Sequence, residues 1–237
     1  MTRAIIVNDS HLDSTEEPHP SYQLVKRFIK AQKPDILVLN GDMLDLSYLS
    51  KYDEAKFQLR EGKRLQADVD MMRRELDYFE KCSGSLIYLE GNHEDRLRRR
   101  VEATPEFEGL LTWKRLLKFD VKPQIEQPIR LEKSHLWVLH GQNYSIHFCA
   151  NNAKQYMINT ACGHTHRIQS FSMRGLDKEI GAWGIGCLCD KNPEYLNGRM
   201  NSWQHGFAII DIWGKNFTFH NIHMVDNKFV WDGRLWE

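Results

Sequence analysis

Ile36-Leu37-Val38-Leu39-Asn40-Gly41-Asp42 is the stretch on which the fold turns. Four consecutive apolar side chains leave no polar face, the pattern of a short strand covered on both sides of its sheet. An acidic side chain follows as soon as the apolar run ends. The same arrangement recurs at four other places. Ala4-Ile5-Ile6-Val7 leads to Asp9 and His11, and Leu86-Ile87-Tyr88-Leu89 to Asn92 and His93. Leu136-Trp137-Val138-Leu139 leads to His140, and Asn159-Thr160-Ala161-Cys162 to His164 and His166. In open α/β sheets the carboxyl ends of such strands face one crevice, so donors far apart in sequence converge there. That convergence predicts a polynuclear metal site.

The donors combine carboxylate oxygen, imidazole nitrogen and one amide oxygen, with no thiolate. Borderline divalent ions suit this set, with Mn expected and Fe, Zn, Ni or Co as alternatives. Asp9, His11, Asp42, Asn92, His140, His164 and His166 are too many for one ion that must keep a position open for water, so two ions are expected. A shared carboxylate, for which Asp42 is the natural candidate, would hold them roughly 3.5–4 Å apart.

In chain order the blocks are Asp9-x-His11, Gly41-Asp42-x-x-Asp45, Gly91-Asn92-His93-Glu94, His140-Gly141 and Gly163-His164-Thr165-His166. With all five in this order, the chain resembles the calcineurin-like metallophosphoesterase superfamily. The resemblance implies one metal on Asp9, His11, Asp42 and His166, and the other on Asp42, Asn92, His140 and His164. It implies His93 as the catalytic histidine beside the metals, with Asp45 as its orienting partner, and a four-layer αββα sandwich of two mixed sheets. Protein serine/threonine phosphatases of the superfamily carry Arg-Gly after the second Asp of the Gly-Asp block. Here Leu46-Ser47 follow Asp45, which argues against that branch. The chain is more similar to small stand-alone members, some of them phage-encoded.

Composition bounds the rest. With 237 residues, 41% hydrophobic and 27% charged, the chain is expected to form one domain over 1–237. Lys plus Arg (32) equals Asp plus Glu (32), so no overall charge directs the molecule to nucleic acid or a membrane. Met1-Thr2-Arg3-Ala4-Ile5-Ile6-Val7 enters a strand directly, and no apolar run reaches the roughly 18 residues of a membrane span. A cytoplasmic location is therefore expected. Cysteines 82, 149, 162, 187 and 189 fit no disulfide or thiolate-zinc spacing and read as reduced and structural.

The first half alternates strand and helix. A helix over about 21–32 carries Leu24, Val25, Phe28 and Ile29 on one face and stops at Pro34. A second over about 54–81 carries Leu65, Val69, Met72, Leu76 and Phe79 on a face laid against the sheet, with Gly62 a candidate break. A third helical stretch is expected over 96–119, with Leu110, Leu111, Trp113, Leu116 and Leu117 buried. From Ile168 onward turn signals separate short β segments, and 207–212, 217–222 and 228–231 read as consecutive antiparallel strands.

The expected reaction is hydrolysis of a phosphoester by a metal-bridging hydroxide, with His93 protonating the leaving oxygen and Asp45 fixing its tautomer and raising its pKa. Glu94 reads as a brace. Arg96, Arg98, Arg99, Arg100, Lys114, Arg115 and Lys118 outnumber Glu102, Glu106 and Glu108, which either flanks the crevice for a polyanion or forms a solvated, ion-paired helix face. Arg96, Arg199 and His205 are substrate-contact candidates. Arg199 and His205 lie in a polar, aromatic loop over 192–206, and Trp183, Tyr195, Trp203 and Phe207 are candidates for base stacking or for the core. A phosphodiesterase acting on nucleic acid or nucleotides is the leading expectation. A phosphomonoesterase and a non-catalytic metal-binding scaffold are the alternatives.

Overall fold

The computed structural model describes residues 1–51, 55–123, 128–193 and 196–237. Two mixed sheets pack face to face with helices on their outer faces. In the first sheet, β1 (Thr2–Val7), β2 (Ile36–Asn40), β3 (Ser85–Leu89) and β4 (Val121–Lys122) run parallel. The second contains β5 (Ile129–Arg130), β6 (Leu136–Leu139), β7 (Asn159–Cys162), β8 (Ile168–Arg174) and β9 (Glu179–Ile185) in the order β5-β6-β7-β9-β8, with β6, β7 and β9 parallel. β10 (His205–Trp213) and β11 (Asn216–Met224) return to the first sheet as antiparallel strands beside β1.

Strand alternation divides the core into three apolar layers. Ala4, Ile6, Ile36, Val38, Ala208 and Ile210 point between the sheets and meet Leu136, Val138, Ala161 and Ile185 of the second. Their neighbours Ile5, Val7, Leu37, Leu39, Phe207 and Ile209 point outward under helices. Those helices are α1 (Pro20–Gln32), which buries Leu24, Val25, Phe28 and Ile29, and α3 (Leu65–Glu80), which buries Val69, Met72, Leu76 and Phe79. The outer face of the second sheet is covered by α6 (Phe148–Tyr156) through Phe148, Cys149 and Ala153. Strands apolar on both faces are thereby accounted for, since each face has its own layer to enter.

Boundaries follow local chemistry. α1 ends where Lys33 turns left-handed (φ 46°) ahead of Pro34. The second helical stretch divides at Gly62 (φ 78°) into α2 (Phe57–Arg60) and α3; its expected start, Glu54, lies outside the described residues. The single helix expected over 96–119 is instead α4 (Asp95–Glu102), a 3₁₀ turn at Pro105–Phe107, and α5 (Trp113–Leu117). Pro105 opens the turn, Gly109 (φ 72°) reverses the chain, and the Thr112 side chain accepts the Arg115 amide to start α5. Trp113 and Leu117 are buried, whereas Leu110 is 59% exposed.

β12 (Phe229–Trp231) pairs with β13 (Arg234–Trp236) rather than extending the first sheet beyond β11. Phe229 and Trp236 close on Phe28 of α1 at ring separations of 5.1 and 4.8 Å. Among the described residues no helix is long and apolar enough to cross a membrane.

Candidate metal centre

The loops that follow β1 and β2 are zipped together. Asp9 N donates to Gly41 O (3.1 Å), His11 N to Asp42 O (3.0 Å) and Leu12 N to Met43 O (2.7 Å). Parallel pairing aligns the ends of β1, β2 and β3, so Asp9, Asp42 and Asn92 emerge side by side. The second sheet is joined at the same place. The Asn40 amide donates to Leu139 O (3.0 Å), and His140 Nδ1 donates to Asn40 O (2.8 Å), which leaves His140 Nε2 facing inward.

Two groups of donors result, and Asp42 belongs to both. In one, His166 Nε2 is 3.2 Å from Asp9 Oδ1 and 3.2 Å from His11 Nε2, and His11 Nε2 is 3.9 Å from Asp42 Oδ2. In the other, Asn92 Oδ1 is 2.7 Å from His164 Nδ1 and 3.2 Å from His140 Nε2, and His140 Nε2 is 3.2 Å from Asp42 Oδ2. Donor atoms of Asp9, His11 and Asp42, and of Asp42, His140 and His164, lie within 4.8 Å of one another. All seven residues expected as metal donors are brought together.

The surroundings fit cations. Asp9 Oδ1 is buried without a hydrogen-bond donor, a costly arrangement for an ionised oxygen unless a positive charge faces it. Five donors hold left-handed backbone: Asp9 (φ 51°), His11 (45°), Asp42 (50°), His164 (68°) and His166 (57°). Each non-glycine residue there costs on the order of 1 kcal/mol or more, and clusters of them mark sites whose geometry is held for a ligand. Gly91 and Gly163 give the carboxylates room, since a Cβ would fall 2.1 Å from Asp42 Oδ1 or 2.5 Å from Asp9 Oδ2. Burial pushes the Asp42 carboxyl up, but the His140, His93 and His11 rings hold it well below the usual carboxylate range. His140, whose burial opposes charging, is raised to about 10 by Asp42 and Asp9. Opposed charges locked in this way are what two divalent ions would replace.

Glu94 is the brace. Its carboxylate, fully buried, accepts the amides of Asp42 (2.8 Å), Met43 (2.9 Å), Leu44 (3.1 Å) and Gly91 (2.8 Å) and the Tyr88 hydroxyl (2.8 Å). It therefore ties the loop after β2 to the loop after β3, and touches no open space.

His93 stands beside the two donor groups, and its ring forms a further cluster with His11 and Asp45, donor atoms within 4.8 Å of one another. Its amide donates to Asp42 Oδ1 (2.8 Å), and its Nε2 is 3.8 Å from Asp42 Oδ2. Nδ1 meets the backbone oxygen of Asp45 at 2.5 Å, not the carboxylate, whose Oδ1 sits 3.8 Å from His93 Nδ1 and 3.7 Å from His11 Nδ1. Arg96 closes the other end: its Nη2 lies 2.9 Å from His93 Nε2 and its Nη1 donates to Asp45 O (2.8 Å). Asp45 pulls the His93 pKa up, as expected, but the net shift is downward. Burial lowers it to about 3, with His11 and Arg96 adding to the effect and Asp42 and Asp45 only opposing it.

The other candidates fall elsewhere. His205 is 4% exposed and bonds Ser21 Oγ (3.0 Å) and Cys189 O (2.8 Å), so it joins the core at the start of β10. Arg199 is exposed on the loop before β10. Tyr195 lies outside the described residues, whereas Trp183 stacks on Phe219 (4.7 Å) and Phe207 is buried. The basic run on α4 is largely ion-paired, with Asp95 holding Arg98 (2.6 Å) and Arg99 (2.5 Å). A surface cleft of about 590 Å³ lined by Tyr48, Phe57, Arg60, Lys63 and Arg64 lies apart from the donor set.

Two neighbours escaped sequence reading. Cys189 Sγ is 3.9 Å from His166 Nδ1, across the ring from the nitrogen that faces Asp9. Tyr144 leans on His164 with ring centroids 4.2 Å apart, three residues after a glycine that marks only a turn in sequence.

Comparison with known proteins agrees with this geometry. The chain is 23% identical to the Gene 54 protein of Mycobacterium phage L5 over 254 residues, covering 99% of this chain and 98% of that protein. It is 22% identical to the Gene 54 protein of Mycobacterium phage D29, with the same coverage. Its fold is similar to the crystal structure of Chaetomium thermophilum Vps29, with a TM-score of 0.51 and 14% identity over 95% of this chain and 93% of that one. The profile of calcineurin-like phosphoesterases matches residues 2–169, and the chain belongs to that family of metal-dependent phosphoester hydrolases.

Proposed function

We propose that residues 1–237 form one domain that hydrolyses phosphodiesters with a pair of divalent ions, manganese first among them. One ion would be held by Asp9, His11, Asp42 and His166 and the other by Asp42, Asn92, His140 and His164. The observation that carries the reading is the membership of Asp42 in both donor groups, with the His93 Nε2 3.8 Å from its carboxylate. When bound, such ions lower the pKa of a water to yield the nucleophile and neutralise phosphoryl oxygens.

The chain's own residues supply the rest. Asp45 O and the Arg96 guanidinium hold His93 as the neutral ring with its proton on Nδ1. A phosphate entering beside Arg96 draws the guanidinium to itself, frees His93 Nε2, and by its negative charge favours uptake there of a proton from solvent. That proton then passes to the leaving oxygen. Arg96 is thus the substrate contact that also readies the acid.

The charge balance favours a diester. Among the described residues, Arg96 is the Arg or Lys whose side chain bonds His93 beside the donor set, and it is already shared with Asp45. Terminal phosphate dianions are ordinarily clamped by dedicated cationic forks, whereas a diester monoanion needs fewer.

Manganese-loaded protein assayed on bis-p-nitrophenyl phosphate, p-nitrophenyl phosphate and single-stranded DNA tests the proposal. Higher kcat/KM on the diester supports it. A preference for the monoester assigns a phosphomonoesterase, and no turnover of any ester with several metals assigns a binding scaffold.

A further inference from the structure

Two aromatic rings lean on the donor set from the loops that border it. Tyr144, between β6 and α6, is 72% exposed, yet its ring centroid is 4.2 Å from that of His164. Trp203, just before β10 and half-buried, has its ring 4.1 Å from His166 at an interplanar angle of 64°. Each ring therefore touches a histidine from a different donor group.

The backbone around both rings is fastened. Arg167 Nη2 donates to Tyr144 O (3.2 Å) and Ser145 O (2.8 Å), and Gln169 Nε2 donates to Ile146 O (2.9 Å). On the other loop Trp203 N donates to Asn201 Oδ1 (2.8 Å), Asn201 Nδ2 to Lys191 O (2.7 Å), and Gln204 N to His166 O (2.8 Å). Rings on tethered loops lose little freedom when a ligand settles on them, so they are pre-organised contacts.

The Tyr144 hydroxyl and the Trp203 indole N–H can each donate one hydrogen bond, but what lies against the donor histidines is the ring of each, at centroid separations of 4.2 and 4.1 Å. A flat ring beside a phosphate site offers a face for another flat ring, and base-on-aromatic contacts contribute about 1–3 kcal/mol per base. We propose that Tyr144 and Trp203 are stacking platforms for nucleobases, so that the substrate is a diester bearing a base beside the scissile phosphate. The inference rests on the hydrolytic reading above and names its substrate class.

Two esters with the same leaving group separate base recognition from chemistry: thymidine 5′-(p-nitrophenyl phosphate) and methyl p-nitrophenyl phosphate. For Tyr144→Leu and Trp203→Leu, the ratio of kcat/KM on the thymidine ester to that on the methyl ester should fall about tenfold each, through KM. Tyr144→Phe and Trp203→Phe should keep the ratio. A second readout needs no turnover: metal-free protein should quench a 2-aminopurine–thymidine dinucleotide, and the leucine variants should lose that quenching. A ratio unmoved in both leucine variants, or no quenching by the wild type, overturns the platforms. If neither ester is hydrolysed while quenching is seen and is lost in the variants, the platforms stand and the hydrolytic reading falls.

Discussion

Arg96 Nη2 lies 2.9 Å from His93 Nε2, while its Nη1 shares the Asp45 carbonyl with His93 Nδ1. One guanidinium thus blocks the nitrogen that would deliver a proton and depresses its basicity from 2.9 Å away. Arg96→Met should raise the His93 pKa from about 3 by a unit or so, because a cation that disfavours imidazolium is removed. Titration of the His93 ring by NMR in metal-free protein reads this directly. A pKa that stays or falls would show that Arg96 does not govern the ring.

His93→Asn should keep both metals and lose roughly 10²–10⁴-fold in turnover on esters with poor leaving groups. The loss should shrink on p-nitrophenyl esters, whose leaving oxygen needs no proton. Equal losses on both kinds of ester would assign His93 a role other than proton donor.

Asp42 faces donors of both groups, whereas His140 faces only one. Elemental analysis should therefore find about two divalent ions per wild-type chain, about one in His140→Ala, and fewer than one in Asp42→Ala. Retention of both ions by Asp42→Ala would remove it as the shared donor.

Glu94 receives five donors in a fully buried position. Glu94→Gln turns an acceptor oxygen into an NH₂ group that meets other donors, and should cost about 3–5 kcal/mol of stability in urea unfolding, with the amide mutant's slope unchanged. A loss below about 1 kcal/mol would show that the loops after β2 and β3 do not depend on it.

Glu90 is partly buried, and that burial, with Glu94 and Asp95 nearby, raises its carboxyl to about 7 against the pull of Arg98. A folded pKa above the unfolded value means the folded chain holds the extra proton between about pH 4.5 and 7, so this group's contribution falls as pH rises through that window. Glu90→Gln should gain about 1 kcal/mol relative to wild type at pH 8 and little at pH 4.5, the full linkage being reduced by solvent. Parallel thermal melts at the two pH values check it; an equal difference at both would refute the shift.

Much of the fold was legible because its strands are apolar on both faces and end abruptly in polar residues. Ile36 to Leu39 is the clearest case, with Val38 between the sheets and Leu37 under a helix. The gathering of Asp9, Asp42 and His140 follows from where parallel strands end. What was hidden rests on backbone atoms, which no side-chain pattern announces: His93 bonds a carbonyl of Asp45, and Glu94 collects amides from three consecutive residues. Leucines at helical spacing over 96–119 suggest one helix, yet Pro105 and Gly109 divide it. His205 looked polar and loop-bound, yet bonds to Ser21 and Cys189 O let an imidazole sit in the core.

Asn40 joins the ends of β2 and β6 through its side chain and its carbonyl, at the seam beneath the donor set. The cations would thus act as rivets through a two-leaf hinge. Neither leaf owns a whole socket, so severed halves of the polypeptide should regain their grip on divalent ions only by finding each other again.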